Sequence, residues 1–428
     1  MTLRPLAALA LALACAACGG GAGDGRRTVV FWALGREGEV VRELAPEFER
    51  LNPDLKLRVQ QIPWTAAHEK LLTAFVGRST PDVAQIGNTW VPEFVALDAL
   101  EPLDARLARS TIDRKDFFGG VWDANVMDGT TWGVPWYVDT RVLFYRRDIL
   151  AKAGFAAPPT TWSGLLDELR AVKRLGGAQR TAILLPLDEW AQPVILGFQQ
   201  GSTLLADGGR RGAFSAPEFR RAAEFYLKIF DEGLAPGQTN TQVANLYQQF
   251  AAGEFAFYVS GPWNLGEFRR RLPPELQDAW ATAPLPAPDG KPFPGASLAG
   301  GATLVVFRGA ANRDDAFRLL EFLSSPEVEA RFYALSGDLP PRAAAWKLAR
   351  LDEDERARAF WTQLGAVRRT PQTPEWEQIA AMVAERLETA VRGAATLDEA
   401  LRALDRDVDR ALEKRRLLLD RRAARGTK

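Results

Sequence analysis

Two aromatic side chains and a carboxylate lie close together at Trp136, Tyr137 and Asp139, directly before the apolar run 142–145. Ring faces can cover an apolar ligand surface, and a carboxylate can accept hydrogen bonds from ligand hydroxyls. Apolar walls with a few orienting polar groups are typical of a small-molecule site. A surface turn whose rings pack into a core has the same pattern, so this segment alone leaves both interpretations open.

More candidates of the same kind follow predicted strands. Trp32 ends the apolar run 28–32, Trp64 follows the alternating run 57–61, and Asn88 and Trp90 follow 81–87. Helical patterns separate these strands, and this order predicts a parallel sheet. Ligands bind at the carboxyl ends of strands in such sheets. We therefore expect these side chains near one site, although core packing is the alternative for each tryptophan.

The rest of the chain continues the alternation of strands and helices. Strand patterns at 181–187, 253–259 and 302–307 are each adjacent to helical patterns, and Trp190 and Trp263 follow two of these strands. Residues 215–218 and 396–399 have the sequence of a capping box, in which Ser or Thr precedes Glu by three residues at a helix start. The sequence thus predicts an α/β fold with helices through its last hundred residues.

The composition of the chain excludes several classes of function. The chain has 428 residues and zero formal net charge, and no basic stripe precedes residues 414–425, so we expect no nucleic-acid partner. Its single histidine, His68, excludes a histidine metal cluster and any Ser-His-Asp triad that does not use it. We expect no metal and no cofactor. The basic run 414–425 is interpreted as a solvated tail, with contact to anionic lipid as the alternative.

The first residues predict export. Arg4 precedes an apolar run, 6–17, that is too short to span a bilayer, and Cys18 follows it with a glycine-rich segment after it. Residues 1–18 resemble a bacterial lipoprotein signal that ends at a lipidated Cys18, with 19–27 as a flexible tether. Cys15 is the competing lipidation site, and a plain secretory signal is the other alternative. No further cysteine is present, so no internal disulfide is expected.

Four segments together resemble one family. They are residues 48–53, residues 133–162 with Gly133, Pro135, Asp139 and Trp162, the strand and turn 253–263, and residues 396–401. In these the chain is similar to the extracellular solute-binding proteins of sugar-importing ATP-binding cassette (ABC) systems, especially the maltose and trehalose/maltose receptors. The resemblance covers nearly all of the chain after the signal.

The resemblance implies an α/β fold of two lobes, the type II periplasmic-binding-protein fold, joined by a hinge of crossing strands. We assign 28–138 plus 298–325 to the N-terminal lobe and 139–297 plus 326–428 to the C-terminal lobe. Sugar is expected in the cleft between them.

The resemblance also implies roles for single residues. Tyr137 and Asp139 form one wall, where Asp139 accepts sugar hydroxyls, and Trp263 lies under a sugar ring. Asn88 departs from the family pattern, because trehalose/maltose receptors tend to have Asp there; an amide both donates and accepts hydrogen bonds, so sugar binding is retained. The full candidate set is Glu37, Trp64, Asn88, Trp90, Trp136, Tyr137, Asp139, Trp263, Gly300, Gly301 and Arg369.

The function implied is that of a non-enzymatic receptor outside the cytoplasmic membrane. It would act as a monomer, bind a disaccharide or short oligosaccharide such as an α-glucoside, and deliver it to the permease subunits of an ABC importer. A glycoside hydrolase is the first alternative, since it needs two carboxylates beside one bond. A receptor for a peptide, polyamine or metal is the second.

Overall fold

The computed structural model describes residues 25–177 and 180–426. Cys15, Cys18 and most of the predicted tether lie outside the described residues. The strands are β1 Arg27–Leu34, β2 Leu55–Ile62, β3 Val83–Gly87, β4 Val126–Met127, β5 Thr130–Thr131, β6 Val134–Asp139, β7 Val142–Arg146, β8 Ile183–Leu184, β9 Leu205–Ala206, β10 Arg211–Gly212, β11 Phe257–Ser260, β12 Trp280–Ala283, β13 Ser297–Leu298, β14 Gly300–Val306 and β15 Val367–Arg368.

The helices surround these strands. They are α1 Glu37–Leu51, α2 Trp64–Val76, α3 Val91–Ala96, α4 Asp104–Leu107, α5 Gly119–Asp123, α6 Arg147–Lys152, α7 Trp162–Gly176, α8 Ala191–Gln200, α9 Pro217–Asp231, α10 Leu246–Ala252, α11 Trp263–Arg271, α12 Arg313–Leu323, α13 Pro326–Ser336, α14 Ala343–Leu348, α15 Glu355–Leu364, α16 Trp376–Val391, α17 Leu397–Ala411 and α18 Glu413–Gly426. None of the helices in the described ranges is long and apolar enough to cross a membrane.

The first sheet has the strand order β2-β1-β3-β14-β6. β1 pairs in parallel with β2 and β3, as the alternation of strands and helices predicts, whereas β14 is antiparallel to β3 and β6. α1 covers this sheet with Val40, Leu44 and Phe48, which recur at helical spacing and are buried. The carboxyl ends of β1, β2 and β3 therefore share one edge.

The second sheet has the order β12-β7-β11-β8. Its core is built with α7, α8, α9 and α16, and includes Leu143, Phe219 and Trp376. Each sheet thus has its own buried core, and the predicted two-lobed α/β fold is confirmed.

Within the residues that the structure describes, the chain passes between the two sheets at three places. β6 continues into β7 through Thr140 and Arg141, β13 continues into β14 through Ala299, and residues 337–342 join α13 to α14. β13 also pairs in parallel with β15, which adds a strand to this crossing. The hinge side of the molecule therefore consists of extended segments rather than of a flexible linker.

Helix α13 packs differently from what the sequence suggested. The predicted boundary assigned residues after 325 to the C-terminal lobe, but Val328 and Phe332 lie in the core of the first sheet. These residues are four positions apart and share one helix face, and the Phe332 ring packs 4.4 Å from that of Trp136. The chain therefore leaves the first core only after α13.

Candidate functional site

A cavity of about 440 Å³ opens where the two sheets meet. Its first side is formed by the ends of the parallel strands and the helices that follow them, and its second side by the starts of α8 and α11. The lining residues are Glu37, Trp64, Gly87, Asn88, Thr89, Trp90, Tyr137, Asp139, Arg141, Trp190, Trp263, Leu298, Gly300, Gly301 and Asp338. The structure thus brings together all the predicted site residues except Trp136 and Arg369.

Trp136 lies in the core instead. It is 1% exposed, and its ring meets Phe31 edge-on at 5.9 Å. Neighbouring side chains on a strand point to opposite faces, so the strand that directs Tyr137 and Asp139 to the cavity directs Trp136 away from it. Trp32 is also buried in a core cluster of the first sheet and does not reach the cavity.

Arg369 lies away from this cavity as well. Its Nη1 donates a hydrogen bond to the carbonyl oxygen of Asp123 at 3.2 Å, and its side chain lines a separate cavity of about 380 Å³ together with Arg368 and Arg415. The role that the family resemblance implied for Arg369 has no support from its position.

Sequence reasoning did not select Arg141, Asp338, Thr89 or Leu298, and considered Trp190 without selecting it. Arg141 and Asp338 lie on two of the crossings between the lobes. A charged residue beside a predicted strand boundary was the available signal for Arg141. No sequence signal distinguished Asp338 from an ordinary loop residue.

Asp139 and Arg141 form an ion pair at the cavity wall. The guanidinium Nε of Arg141 donates to Asp139 Oδ1 at 3.0 Å, and its Nη1 lies 3.6 Å from Glu189 Oε2. The same guanidinium lies 4.8 Å from the ring centroid of Trp263, in cation–π geometry. Arg141 therefore orients an acceptor and an indole together, while part of the Asp139 carboxylate stays exposed to the cavity.

A second carboxylate, Glu37, is held by a buried hydrogen-bond chain. The Tyr137 hydroxyl donates to Glu37 Oε1 at 2.8 Å, and Gln85 Nε2 donates to the Tyr137 hydroxyl oxygen at 3.0 Å. Burial raises the pKa of Glu37. Burial and the nearby charge of Glu37 raise the pKa of Asp338 to about 7. Near neutral pH part of Asp338 is therefore protonated, and its carboxyl can donate a hydrogen bond to a ligand hydroxyl as well as accept one.

Indole faces supply the apolar surface. Trp64 and Trp90 meet edge-on with ring centroids 5.9 Å apart on the first side, and Trp263 lies at the start of α11 on the second. Trp64 is 38% and Trp263 36% exposed. The Trp263 ring folds back over Gly261, where an added Cβ would lie 2.0 Å from Cζ3. Flat, partly exposed indoles on two sides of a polar cavity suit a ligand with both C–H faces and hydroxyls.

Glycines bring the backbone of β14 close to β6. A Cβ at Gly300 would lie 2.5 Å from the carbonyl oxygen of Asp139, and one at Gly301 would lie 2.2 Å from that of Tyr137. Gly301 also has a φ of +148°, which side chains disfavour. These two glycines therefore set the positions of Tyr137 and Asp139 through the backbone.

Asn88 connects the first sheet to the hinge. Its Nδ2 donates to the carbonyl oxygen of Ala299 at 2.7 Å, on the crossing between β13 and β14. This bond fixes the orientation of the Asn88 amide, which lines the cavity.

Comparison with known families agrees with this geometry. Residues 32–330 match the family of bacterial extracellular solute-binding proteins. The chain belongs to this family, and the prediction of a solute-binding protein is confirmed.

Two solved structures and one characterised relative illustrate the similarity. The sugar-binding protein MalE from Xanthomonas citri is 49% identical, with a TM-score of 0.87 over 92% of this chain and 99% of that one. An ABC transporter solute-binding protein from Thermotoga lettingae, bound with α-D-tagatose, is 25% identical, with a TM-score of 0.78 over 90% and 100% of the two chains. The diacetylchitobiose-binding protein of Streptomyces coelicolor is 26% identical over 79% of this chain and 77% of its own.

Proposed function

We propose that the protein is the sugar receptor of an ABC importer and binds a disaccharide or short oligosaccharide, such as an α-glucoside, in the cavity between its lobes. The observation that carries the proposal is the combination of indoles, carboxyls and an amide in that cavity. Sugars present hydroxyls to polar groups and C–H faces to aromatic rings. The similarity to MalE, at 49% identity over nearly the whole chain, supports the same class of ligand.

The cavity volume supports a ligand of this size. About 440 Å³ lies within the range of ordinary small-molecule sites. Its polar groups come from the first lobe and from the crossings between the lobes, whereas Trp190 and Trp263 come from the second lobe. A ligand that touches both sides would hold the lobes together.

The direct test is a thermal-shift screen of the mature protein against a panel of mono-, di- and oligosaccharides, followed by calorimetry on the best sugar. At about a hundred times Kd, a ligand adds about 2.7 kcal/mol to the free energy of unfolding. We expect a clear rise in the unfolding midpoint with an α-linked disaccharide or oligosaccharide. No stabilisation by any sugar, with a response to a peptide or polyamine panel, would contradict the proposal.

The carboxyls of the cavity also suggest a second candidate function, glycoside hydrolysis. Glu37, Asp139 and Asp338 place three carboxyls in the cavity, and two of them have a raised pKa. A raised pKa suits a general acid. We propose that these groups bind rather than cleave, because Asp139 is paired with Arg141 and Glu37 already accepts the Tyr137 hydroxyl. Release of free sugar from the bound ligand during prolonged incubation would overturn this part.

We further propose that the protein acts as a monomer and is anchored outside the cytoplasmic membrane by a lipid on Cys18, where it delivers sugar to the permease subunits. The small-residue run and glycine-rich segment around Cys18 support this placement. In the producing cell, Cys18→Ser should move the protein from the membrane fraction to the soluble fraction. Release by Cys15→Ser instead would assign the anchor to Cys15.

A further inference from the structure

A second cavity, of about 380 Å³, lies in the second lobe and has no lining residue in common with the sugar cavity. Four parts of the chain meet at it: the end of α8, the hairpin of β9 and β10, the segment that begins at the end of β15, and α18. Its volume is within the range of small-molecule sites. The second lobe therefore has a concave surface that the proposed sugar site does not use.

The lining of this second cavity is basic. Arg368, Arg369 and Arg415 contribute three guanidinium groups, and no aspartate or glutamate is among the lining residues. The chain as a whole has zero formal net charge, so this concentration of positive charge is local. Such a cavity favours an anionic ligand, because no carboxylate on its wall cancels the field of the cations.

The three guanidinium groups are not neutralised by close ion pairs. Within the residues that the structure describes, the Arg368 side chain makes no hydrogen bond and no ion pair, and Arg369 donates to a backbone carbonyl oxygen, that of Asp123. Arg415 Nε is buried without a hydrogen-bond partner, and Glu375 Oε2 lies 4.0 Å from Arg415 Nη1. A buried donor without an acceptor is costly, so a ligand that supplies the acceptor would be stabilised here.

The donors of this wall match the chemistry of an oxyanion. A guanidinium group presents its N–H donors in one plane, and this geometry fits two oxygens of a phosphate group. The hydroxyls of Ser202 and Thr370 are on the same wall, and neither donates a hydrogen bond within the described part of the chain. They can therefore donate to further oxygens of the same ligand.

Part of the wall is apolar. Phe198, Leu205 and Pro371 line the cavity together with the arginines. A bare oxyanion would leave these surfaces uncovered, whereas an organic group attached to the oxyanion would cover them. The lining thus accepts an oxyanion and has apolar surface for an organic group that carries it.

The segment that carries two of the arginines is held in place by the protein itself. β15, which ends at Arg368, pairs with β13. Arg369 Nη1 donates to the carbonyl oxygen of Asp123 at 3.2 Å, and Gln372 Nε2 donates to that of Val126 at 3.1 Å. A wall that is ordered before binding loses less conformational freedom when the ligand arrives.

We propose that this cavity is a second binding site, for a small molecule with a phosphate or sulfate group, which Arg368, Arg369 and Arg415 bind. The oxyanion lies against the guanidinium groups, and any organic part lies against Phe198 and Leu205. The site is separate from the sugar cavity, and the inference does not rest on the proposed function.

The test uses the mature full-length chain near neutral pH. Calorimetry measures the binding of inorganic phosphate, inorganic sulfate and phenyl phosphate, with sodium chloride used to hold the ionic strength constant. We expect one oxyanion to bind per chain. Tighter binding of phenyl phosphate than of inorganic phosphate would support an organic phosphate as the ligand, and equal affinity would support the free oxyanion. No saturable binding of any of the three would overturn the proposal.

Variants of single arginines locate the bound oxyanion. Arg415→Gln removes the guanidinium whose Nε has no partner, and Arg368→Gln removes a side chain that makes no hydrogen bond in the described residues. Each should weaken phosphate binding by about tenfold or more, because hydrogen bonds between charged groups are lost. Unfolding midpoints without ligand show that each variant is folded, and Arg368→Gln suffices if Arg415→Gln is not.

Lys414→Gln is the matched control for the loss of one positive charge. Lys414 precedes Arg415 on α18, is exposed and does not line the cavity. Its variant should bind phosphate with the affinity of wild type. An equal loss in Lys414→Gln and in both arginine variants would mean attraction to the general surface charge, and the proposal would be wrong.

A last measurement separates this site from the sugar cavity. Phosphate binding is measured again with the best panel sugar at a saturating concentration, and both ligands should be bound together, because the two cavities share no lining residue. Mutually exclusive binding would place the oxyanion in the sugar cavity and overturn the inference. A chain that binds phosphate through these arginines but binds no panel sugar would contradict the proposed function and support the second site.

Discussion

At the scale of single residues, two tryptophans of the same chain have opposite environments. Trp136 is 1% exposed within the core of the first sheet, whereas Trp263 is 36% exposed at the cavity, under the guanidinium of Arg141. Truncation of a buried Trp leaves a hole and costs about 3–5 kcal/mol of stability. Truncation of a partly exposed ring at a site mainly removes contact with the ligand.

We therefore expect Trp263→Ala to keep the unfolding midpoint of the free protein near that of wild type but to weaken sugar binding. A loss of roughly 2–3 kcal/mol corresponds to a factor on the order of thirty to two hundred in Kd. Calorimetry with the best panel sugar and thermal unfolding without sugar measure the two effects.

Trp136→Ala is the matched comparison. It should lower the unfolding midpoint strongly, and any folded fraction should bind sugar with nearly normal affinity. If Trp263→Ala binds like wild type, the indole is not a sugar platform.

Sequence patterns could predict that some of these residues lie at the site, but they could not predict the pKa of its carboxyls. Trp64, Asn88 and Asp139 follow or end strands, and strand ends are visible in the pattern of apolar residues. The raised pKa of Asp338 could not be predicted, because it depends on burial and on Glu37, which lies about three hundred positions away in the sequence. Trp136 was misplaced because adjacency in sequence suggested one shared wall, although neighbours on a strand face opposite sides.

At the scale of elements, the close approach of β14 to β6 shapes the site. Gly300 and Gly301 are the first residues of β14, and the register between these strands shifts between Ala302 and Thr303. The irregular pairing and the absence of side chains let the β14 backbone lie against the carbonyls of Tyr137 and Asp139. The positions of two candidate ligand-binding side chains thus depend on a strand that contributes no side chain of its own there.

Gly301→Ala should therefore impair both stability and binding. The φ of +148° alone implies strain of about 1–3 kcal/mol, and the added Cβ would lie 2.2 Å from the Tyr137 oxygen, so β6 must shift. We expect a lower unfolding midpoint together with weaker sugar binding, measured as for the tryptophans.

Gly119→Ala is the control for the loss of a glycine. Its φ is not in the positive range and its added Cβ meets nothing within 4 Å. It should unfold and bind as wild type does. Normal sugar binding by Gly301→Ala would show that Tyr137 and Asp139 do not depend on this strand contact.

The two predicted capping boxes show how well a local sequence motif predicts the start of a helix. The predicted capping box at Thr396 and Glu399 is present and opens α17. The predicted box at Ser215 and Glu218 is wrong: α9 begins after Ala216, because the Ser215 hydroxyl and N–H both donate to Asp405 on α17. Ser215 therefore does not cap α9, because it bonds to a residue about two hundred positions later in the sequence.

At the scale of the whole molecule, the cavity has two sides that belong to different cores. Trp64 begins α2 and Trp90 lies in the turn after β3, both in the first lobe, whereas Trp190 and Trp263 lie at helix starts of the second lobe. A ligand shifts a conformational equilibrium only by its difference in affinity for the two states. A sugar that contacts both sides binds the closed arrangement more tightly than the open one, because separation of the lobes removes one set of contacts.

Saturating sugar should therefore make the particle more compact. The three crossings at 140–141, 299 and 337–342 are short, and closure of two lobes about such a hinge is the motion expected on ligand binding. Small-angle X-ray scattering of the mature protein, with and without the best panel sugar, should show a smaller radius of gyration with sugar. A panel sugar that gives no thermal shift serves as the control and should leave the radius unchanged.

The Trp263→Ala variant tests whether the change in radius follows the amount of bound sugar. At a sugar concentration that saturates wild type but not the variant, its radius should stay close to the ligand-free value. At concentrations that saturate the variant, it should still become compact, since Trp190 and the polar groups remain. A wild-type radius that is the same with and without bound sugar would mean that the lobes are already closed in the free protein or do not move, and closure would then not be the step that sugar controls.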